Sequence, residues 1–81
     1  MRDEFWEQGI KFTRAPALGK AMWRGEHMGA MISLSRHGPP DRWTIAVDGV
    51  LVPHPFGQHY FTTRWNAVWV ARDHVALEMV A

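Results

Sequence analysis

Histidine is the residue of this chain most suited to doing chemistry, so its spacing is the first feature to weigh. Five are present. His54 and His59 stand five apart in the stretch Pro53-His54-Pro55-Phe56-Gly57-Gln58-His59, and His74 would approach them if the C-terminal segment folded back. Zinc takes four ligands in a tetrahedron. No third and fourth ligand is supplied at a recognisable spacing, H-E-x-x-H is absent, and Glu26-His27 stands alone. No metal or other cofactor is therefore expected. Ser33 and Ser35 lie in an alternating segment without a Gly-flanked elbow, which leaves a nucleophilic triad unsupported. Asp41 and Asp48 are accounted for as loop and turn residues, and Gly25-Glu26-His27-Met28-Gly29 lacks the Lys-Ser/Thr that follows a phosphate-cradling loop. The chain reads as a non-enzyme.

The chemistry that remains is adhesion. Five Trp, four Phe and one Tyr are a heavy aromatic load for 81 residues, since each ring buries roughly 150–250 Å² when packed. Most belong in a core; the surplus points to an aromatic binding surface or a dimer interface. The candidates are Trp6, Trp23, Met28, Phe56 and Tyr60, with Arg24, Arg36 and Arg42 beside them, because interfaces favour exposed aromatics and Met with Arg nearby. Pro53 and Pro55 would hold Phe56 stiffly and lower the freedom lost on docking. The expected partner is a protein or nucleoprotein complex, bound stoichiometrically, with a homodimer as the purely structural explanation. The alternative is a small DNA-binding module that reads DNA with its sheet, in which Arg24, Arg36 and Arg42 meet phosphates and base edges and Trp23 and Trp43 stack. A formal net charge of +1 argues against that alternative. Between Lys11 and Arg42, however, six bases face only Glu26 and Asp41.

Length allows one compact domain, residues 1–81, and not two. There is no cysteine, so disulfides and thiolate sites are excluded. Runs such as Val50-Leu51-Val52 fall far short of the roughly 20 apolar residues that span a bilayer. The start, Met1-Arg2-Asp3-Glu4-Phe5-Trp6-Glu7, is acidic where a signal peptide would be basic. The expectation is a cytoplasmic protein that does not enter membranes.

The elements that would position these residues follow from Gly, Pro and hydrophobic period. Residues 2–8 suit a short helical turn stopped by Gly9, and 13–19 a loop. Lys20–Arg24 suits a strand, with Gly25 and Gly29 bracketing a bend. Residues 30–36 and 43–47 alternate as half-buried strands on either side of the loop His37–Asp41. Asp48-Gly49 is a two-residue hairpin turn returning into Val50–Val52. Pro53 and Pro55 end that ladder, and residues 58–61 form a last short strand. Thr62 or Thr63 can cap a helix over 62–80, packing Trp65, Val68, Trp69, Val75, Ala76 and Met79 on one face, although Arg72 intrudes. Two strands around Arg72-Asp73 are the competing reading. The fold class expected is α+β, an antiparallel sheet of three to four strands backed by one C-terminal helix.

Residues 42–76, from Arg42-Trp43-Thr44-Ile45-Ala46-Val47-Asp48-Gly49 through Tyr60-Phe61-Thr62-Thr63-Arg64-Trp65 and on to Ala76, resemble small phage and prophage proteins. In these an aromatic-led strand ends in a V-D-G hairpin, a further strand ends in F-x-T, and an Ala-rich helix packs behind; some anti-CRISPR proteins share the size and style. The resemblance covers under half the chain, which departs from the pattern at the inserted Pro53-His54-Pro55-Phe56-Gly57. It implies a phage-encoded inhibitor of a bacterial CRISPR-Cas complex, working in the cytoplasm of the host. No functional residue is carried over from it.

Overall fold

The computed structural model describes residues 3–17, 20–58 and 60–80, with the side chains of Met79 and Val80 outside that description. Six strands form one antiparallel meander in the order of the chain: β1 Glu4–Glu7, β2 Ile10–Ala15, β3 Ala21–His27, β4 Ala30–His37, β5 Arg42–Val47 and β6 Val50–Val52. A single helix, α1 Arg64–Val80, follows. The α+β class and the C-terminal helix match the sequence reading; the sheet has six strands where three to four were expected.

The two extra strands come from a hairpin that the sequence hides. Residues 4–7 form β1, paired to β2 from Glu4↔Thr13 to Glu7↔Ile10, instead of the helical turn expected over 2–8. Strand β2 continues to Ala15, into what was read as loop. The turn that joins β1 to β2, Gln8-Gly9, has φ of 52° and 81°; Met28-Gly29 and Asp48-Gly49 have almost the same values. All three are therefore turns with two positive-φ residues, whose twist suits the strands they join. Only Asp48-Gly49 carries the favoured dipeptide; Gln and Met adopt positive φ less readily. The glycines recur every twenty residues, so the three tight turns lie at one end of the sheet. The β2–β3 and β4–β5 connections lie at the other.

Gly25 is a strand residue, not the edge of a bend. Pairing of β2 with β3 stops at Thr13↔Arg24. Just beyond it, a Cβ on Gly25 would stand 2.8 Å from Ile10 Cγ2, 2.9 Å from the Lys11 carbonyl oxygen and 3.1 Å from Phe12 Cδ1. Glycine here admits the close approach of a neighbouring strand. The β1–β2 hairpin leans over β3 at this point.

One face of the sheet packs against α1. Phe5, Ile10, Phe12, Trp23, Ile32, Leu34, Trp43, Ile45, Val47 and Val52 are buried there with Phe61 and, from the helix, Ala67, Val68, Ala71 and Val75. The rings converge across strands: Phe5 and Trp23 are 5.6 Å apart and Trp23 and Trp43 6.1 Å, each pair skipping a strand that separates backbones by about 10 Å. Thr63 caps the helix, its Oγ1 accepting from the Asn66 N–H at 3.2 Å. Phe61 forms an isolated bridge to Trp43 rather than the end of a 58–61 strand. Three residues later Arg64 donates from Nε to Glu7 Oε1 at 2.7 Å and lies over the Phe5 ring at 4.2 Å, tying the start of the helix to β1. Among the described residues no helix is long and apolar enough to cross a membrane.

Candidate interaction surfaces

Strand alternation decides which candidate side chains reach solvent. Register pairs share a face, so Trp23, opposite Leu34, points to the helix and is 0% exposed. Trp43 is buried beside it. This corrects the reading of Trp23 as a binding residue and of both indoles as base-stacking groups. Arg24, paired with Thr13 and Ser33, lies on the opposite, open face. That face carries Trp6, Lys11, Thr13, Met22, Arg24, Ser33, Ser35, Thr44 and Leu51 by the same alternation. Trp6, at its β1 edge, is 67% exposed.

The helix gives up the rings the sheet took in. Trp65 and Trp69, expected in the core, are 52% and 53% exposed, with their planes 9° from parallel and centroids 5.5 Å apart. The contacting stripe is Ala67, Val68, Ala71 and Val75, all buried. Small residues bring the helix close to a sheet whose own aromatics fill the layer, leaving no room for further indoles. At 100° per residue, Trp65, Trp69, Arg72 and Ala76 form a flanking stripe. It continues onto the β3–β4 turn, where Met28 is 58% exposed, and His27, Met28, Trp69, Arg72, Asp73 and Ala76 line a hollow of about 270 Å³. Arg72 Nε is buried without a hydrogen-bond partner among the described residues. At the near end of this ridge the Gln8 side chain donates to the Trp65 carbonyl at 2.8 Å.

The remaining candidates gather at the other end of the sheet. Arg42 pairs with His37 across β5 and β4, and its guanidinium lies 5.0 Å over the Tyr60 ring. His37 and Tyr60 are 5.8 Å apart, and His37 Nε2 shares a 3.1 Å hydrogen bond with Thr44 Oγ1. Arg36, one position back on the helix-facing side, stands 5.9 Å from the Trp23 ring, and Arg14 meets the same ring at 5.1 Å. Arg36 also approaches Asp41 at 4.0 Å. Phe56, 86% exposed, projects from the two-proline connection, next to His54, which in turn packs on Phe61. Sequence reasoning named Arg36, Arg42 and Tyr60 as separate candidates, of which the structure brings Arg42 onto the Tyr60 ring, and it placed the exposed Trp65 and Trp69 in the core. The i, i+4 alanines at 67 and 71, flanked by Val68 and Val75, are the signal that a narrow buried stripe excludes the indoles.

Burial, aided by the charges of Lys20 and Arg42, holds His37 below its ordinary 6.5. Its neutral form is the one the fold favours, so its contribution to stability is complete above pH 6.5 and is lost as pH falls through the lower folded value. The midpoint of thermal unfolding is expected to fall between pH 7 and 5.5, and His37→Gln to flatten that slope; an unchanged slope in the variant would show that His37 is not the source.

Of the histidines considered as metal ligands, His59 lies outside the described residues, His54 packs on aromatic rings, and His74 pairs with Glu78 at 3.3 Å on its own helix. No protein-family model, curated protein or solved structure matches the chain.

Proposed function

We propose that this protein is a non-enzymatic binding module that acts stoichiometrically on a protein or nucleoprotein complex, through the ridge formed by Trp65, Trp69 and Met28 with Arg72 at its foot. The observation that carries the reading is the half-exposed, parallel indole pair on the flank of the helix. Each ring leaves on the order of 100 Å² in water, and covering it at ~25 cal/mol/Å² would release about 2–3 kcal/mol. Tryptophan and arginine are the residues in which interface energy concentrates.

The concrete form of the proposal is a phage-encoded inhibitor of a bacterial CRISPR-Cas complex, in the cytoplasm of the host; it rests on the resemblance of residues 42–76 to small phage proteins. Purified effector complexes of several types, immobilised and challenged with the tagged chain, test it. Retention at a fixed molar ratio is expected, and W65A/W69A should weaken it at least a hundredfold, at ~2 kcal/mol or more per lost anchor. If the double variant binds as well as the parent, the ridge is not the contact. If the parent sediments as a dimer and the double variant as a monomer, the ridge serves self-association instead.

A further inference from the structure

We propose that the end of the sheet opposite the tight turns is a binding site for single-stranded nucleic acid, with Arg14, Lys20, Arg36 and Arg42 holding phosphates and Phe56 and Tyr60 offering rings to bases. The site is separate from the helix ridge and does not depend on it.

The placement follows from register. Ala21 pairs with Arg36 and Trp43 with Arg36, so β3, β4 and β5 begin or end together at this edge. Lys20, one residue before Ala21, His37 and Arg42 stand at the foot of three adjacent strands, and alternation puts all three on the open face. Arg14 and Arg36 reach the same end from the helix-facing side, over Trp23. Cations thus occupy both sides of one lip. Lys20, Ala21, Arg36, His37, Gly38, Pro39 and Asp41 enclose a hollow of about 330 Å³ between them. Asp3, Glu4 and Asp41 are the carboxylates at this end, and Glu4 is engaged by Lys11. Arg14, Lys20 and Arg42 have no ion-pair partner among the described residues, whereas Lys11 and Arg64 are neutralised by Glu4 and Glu7. The titration of His37 is lowered first by burial and then by the charges of Lys20 and Arg42, which face it at this end. Elsewhere Glu7, Glu26, Asp48, Asp73 and Glu78 gather toward the tight turns and the helix, so a near-neutral chain conceals a polarised one.

Charge alone would fit any polyanion. The rings favour a nucleic-acid strand over an acidic peptide. Phe56 is 86% exposed on a connection stiffened by Pro53 and Pro55, and that connection leads into Tyr60, which already takes a guanidinium on its face. A cationic track beside exposed rings is how sequence-tolerant single-strand binders work. A duplex is disfavoured because, among the described residues, no helix or two-stranded ribbon projects from this end to enter a major groove.

The test is fluorescence anisotropy with a labelled oligo-dT of 12 nucleotides, set against a duplex of equal length and poly-glutamate. Binding to oligo-dT is expected, with log affinity falling against log salt at a slope of roughly −2 to −3, about −0.7 for each phosphate met. K20E/R42E should reduce affinity at least a hundredfold, and Phe56→Ala by roughly 5- to 100-fold. Lys11→Glu, a charge reversal on the open face away from this end, should change it little. Thermal melts of each variant establish that it is folded. No binding to oligo-dT at 50 mM salt, an undiminished affinity in folded K20E/R42E, or equal or tighter binding of poly-glutamate would overturn the proposal; the last result would assign the lip to an acidic protein. None of these outcomes bears on whether W65A/W69A loses its partner.

Discussion

Trp23→Ala is expected to lower the thermal midpoint by about 15–30 °C, while Trp65→Ala moves it by only a few degrees. The two indoles are chemically identical and differ in what surrounds them. Trp23 is sealed at the centre of the aromatic layer, in edge contact with Phe5 and 6.1 Å from Trp43, with Arg14 and Arg36 over its ring. Its removal leaves a cavity that neighbouring strands cannot close, and large aromatic-to-alanine changes in such places cost about 3–5 kcal/mol. For a domain of this size each kcal/mol shifts the midpoint by roughly 4–8 °C, and total stabilities are only about 5–15 kcal/mol. Trp65 is half in water, and surface substitutions lie within about 0.5 kcal/mol. Circular-dichroism melts of the two single variants decide the matter. Equal destabilisation would mean that the helix ridge is structural, and the binding role proposed for it would lose its footing.

Gly25→Ala should be nearly as damaging, with a fall of about 10–20 °C from a change of one methyl group. In an ordinary strand this replacement is mildly favourable, because glycine loses more freedom on folding. Here the new Cβ would meet the Ile10 methyl at 2.8 Å and the Lys11 carbonyl at 2.9 Å. Side chains can turn aside, but the carbonyl belongs to the backbone of β2, so the β1–β2 hairpin must lift from β3. Overpacking of that kind costs about 1–3 kcal/mol, and the Phe5 ring, stacked on Phe12, would lose its edge contact with Trp23 as well. Ile10→Ala in the same chain should not rescue it, since the carbonyl remains. A melt of Gly25→Ala indistinguishable from the parent would mean that the hairpin is free to shift.

Much of the architecture was readable beforehand from chain-local chemistry. Alternation in Ala30–Arg36 and Trp43–Val47, the Asp48-Gly49 turn, the prolines after Val52 and the threonine cap each act within a few residues, and each element stands where those signals put it. Strands β1 and β2 were not legible, because Gln8-Gly9 lacks the dipeptide that marks a tight hairpin and Glu4–Glu7 is too short to display a period. Their existence depends on β3 offering an edge, and Gly25 a place to lean.

The candidate sites divide along the same line. Composition pointed to more large apolar side chains than so small a core encloses, and the order of residues showed that bases outnumber acids between Lys11 and Arg42. Which rings are left outside was decided only by packing. Two alanines and two valines set the helix so close to an aromatic sheet that Trp23 and Trp43 fill the layer and Trp65 and Trp69 are turned to the flank. Likewise Arg14, Lys20, Arg36 and Arg42 are scattered along 29 residues of sequence, and only the antiparallel register brings them to one end. Residue types fix how much surface must be hidden and how much charge must be solvated; the shared volume of the interior fixes whose side chains do which.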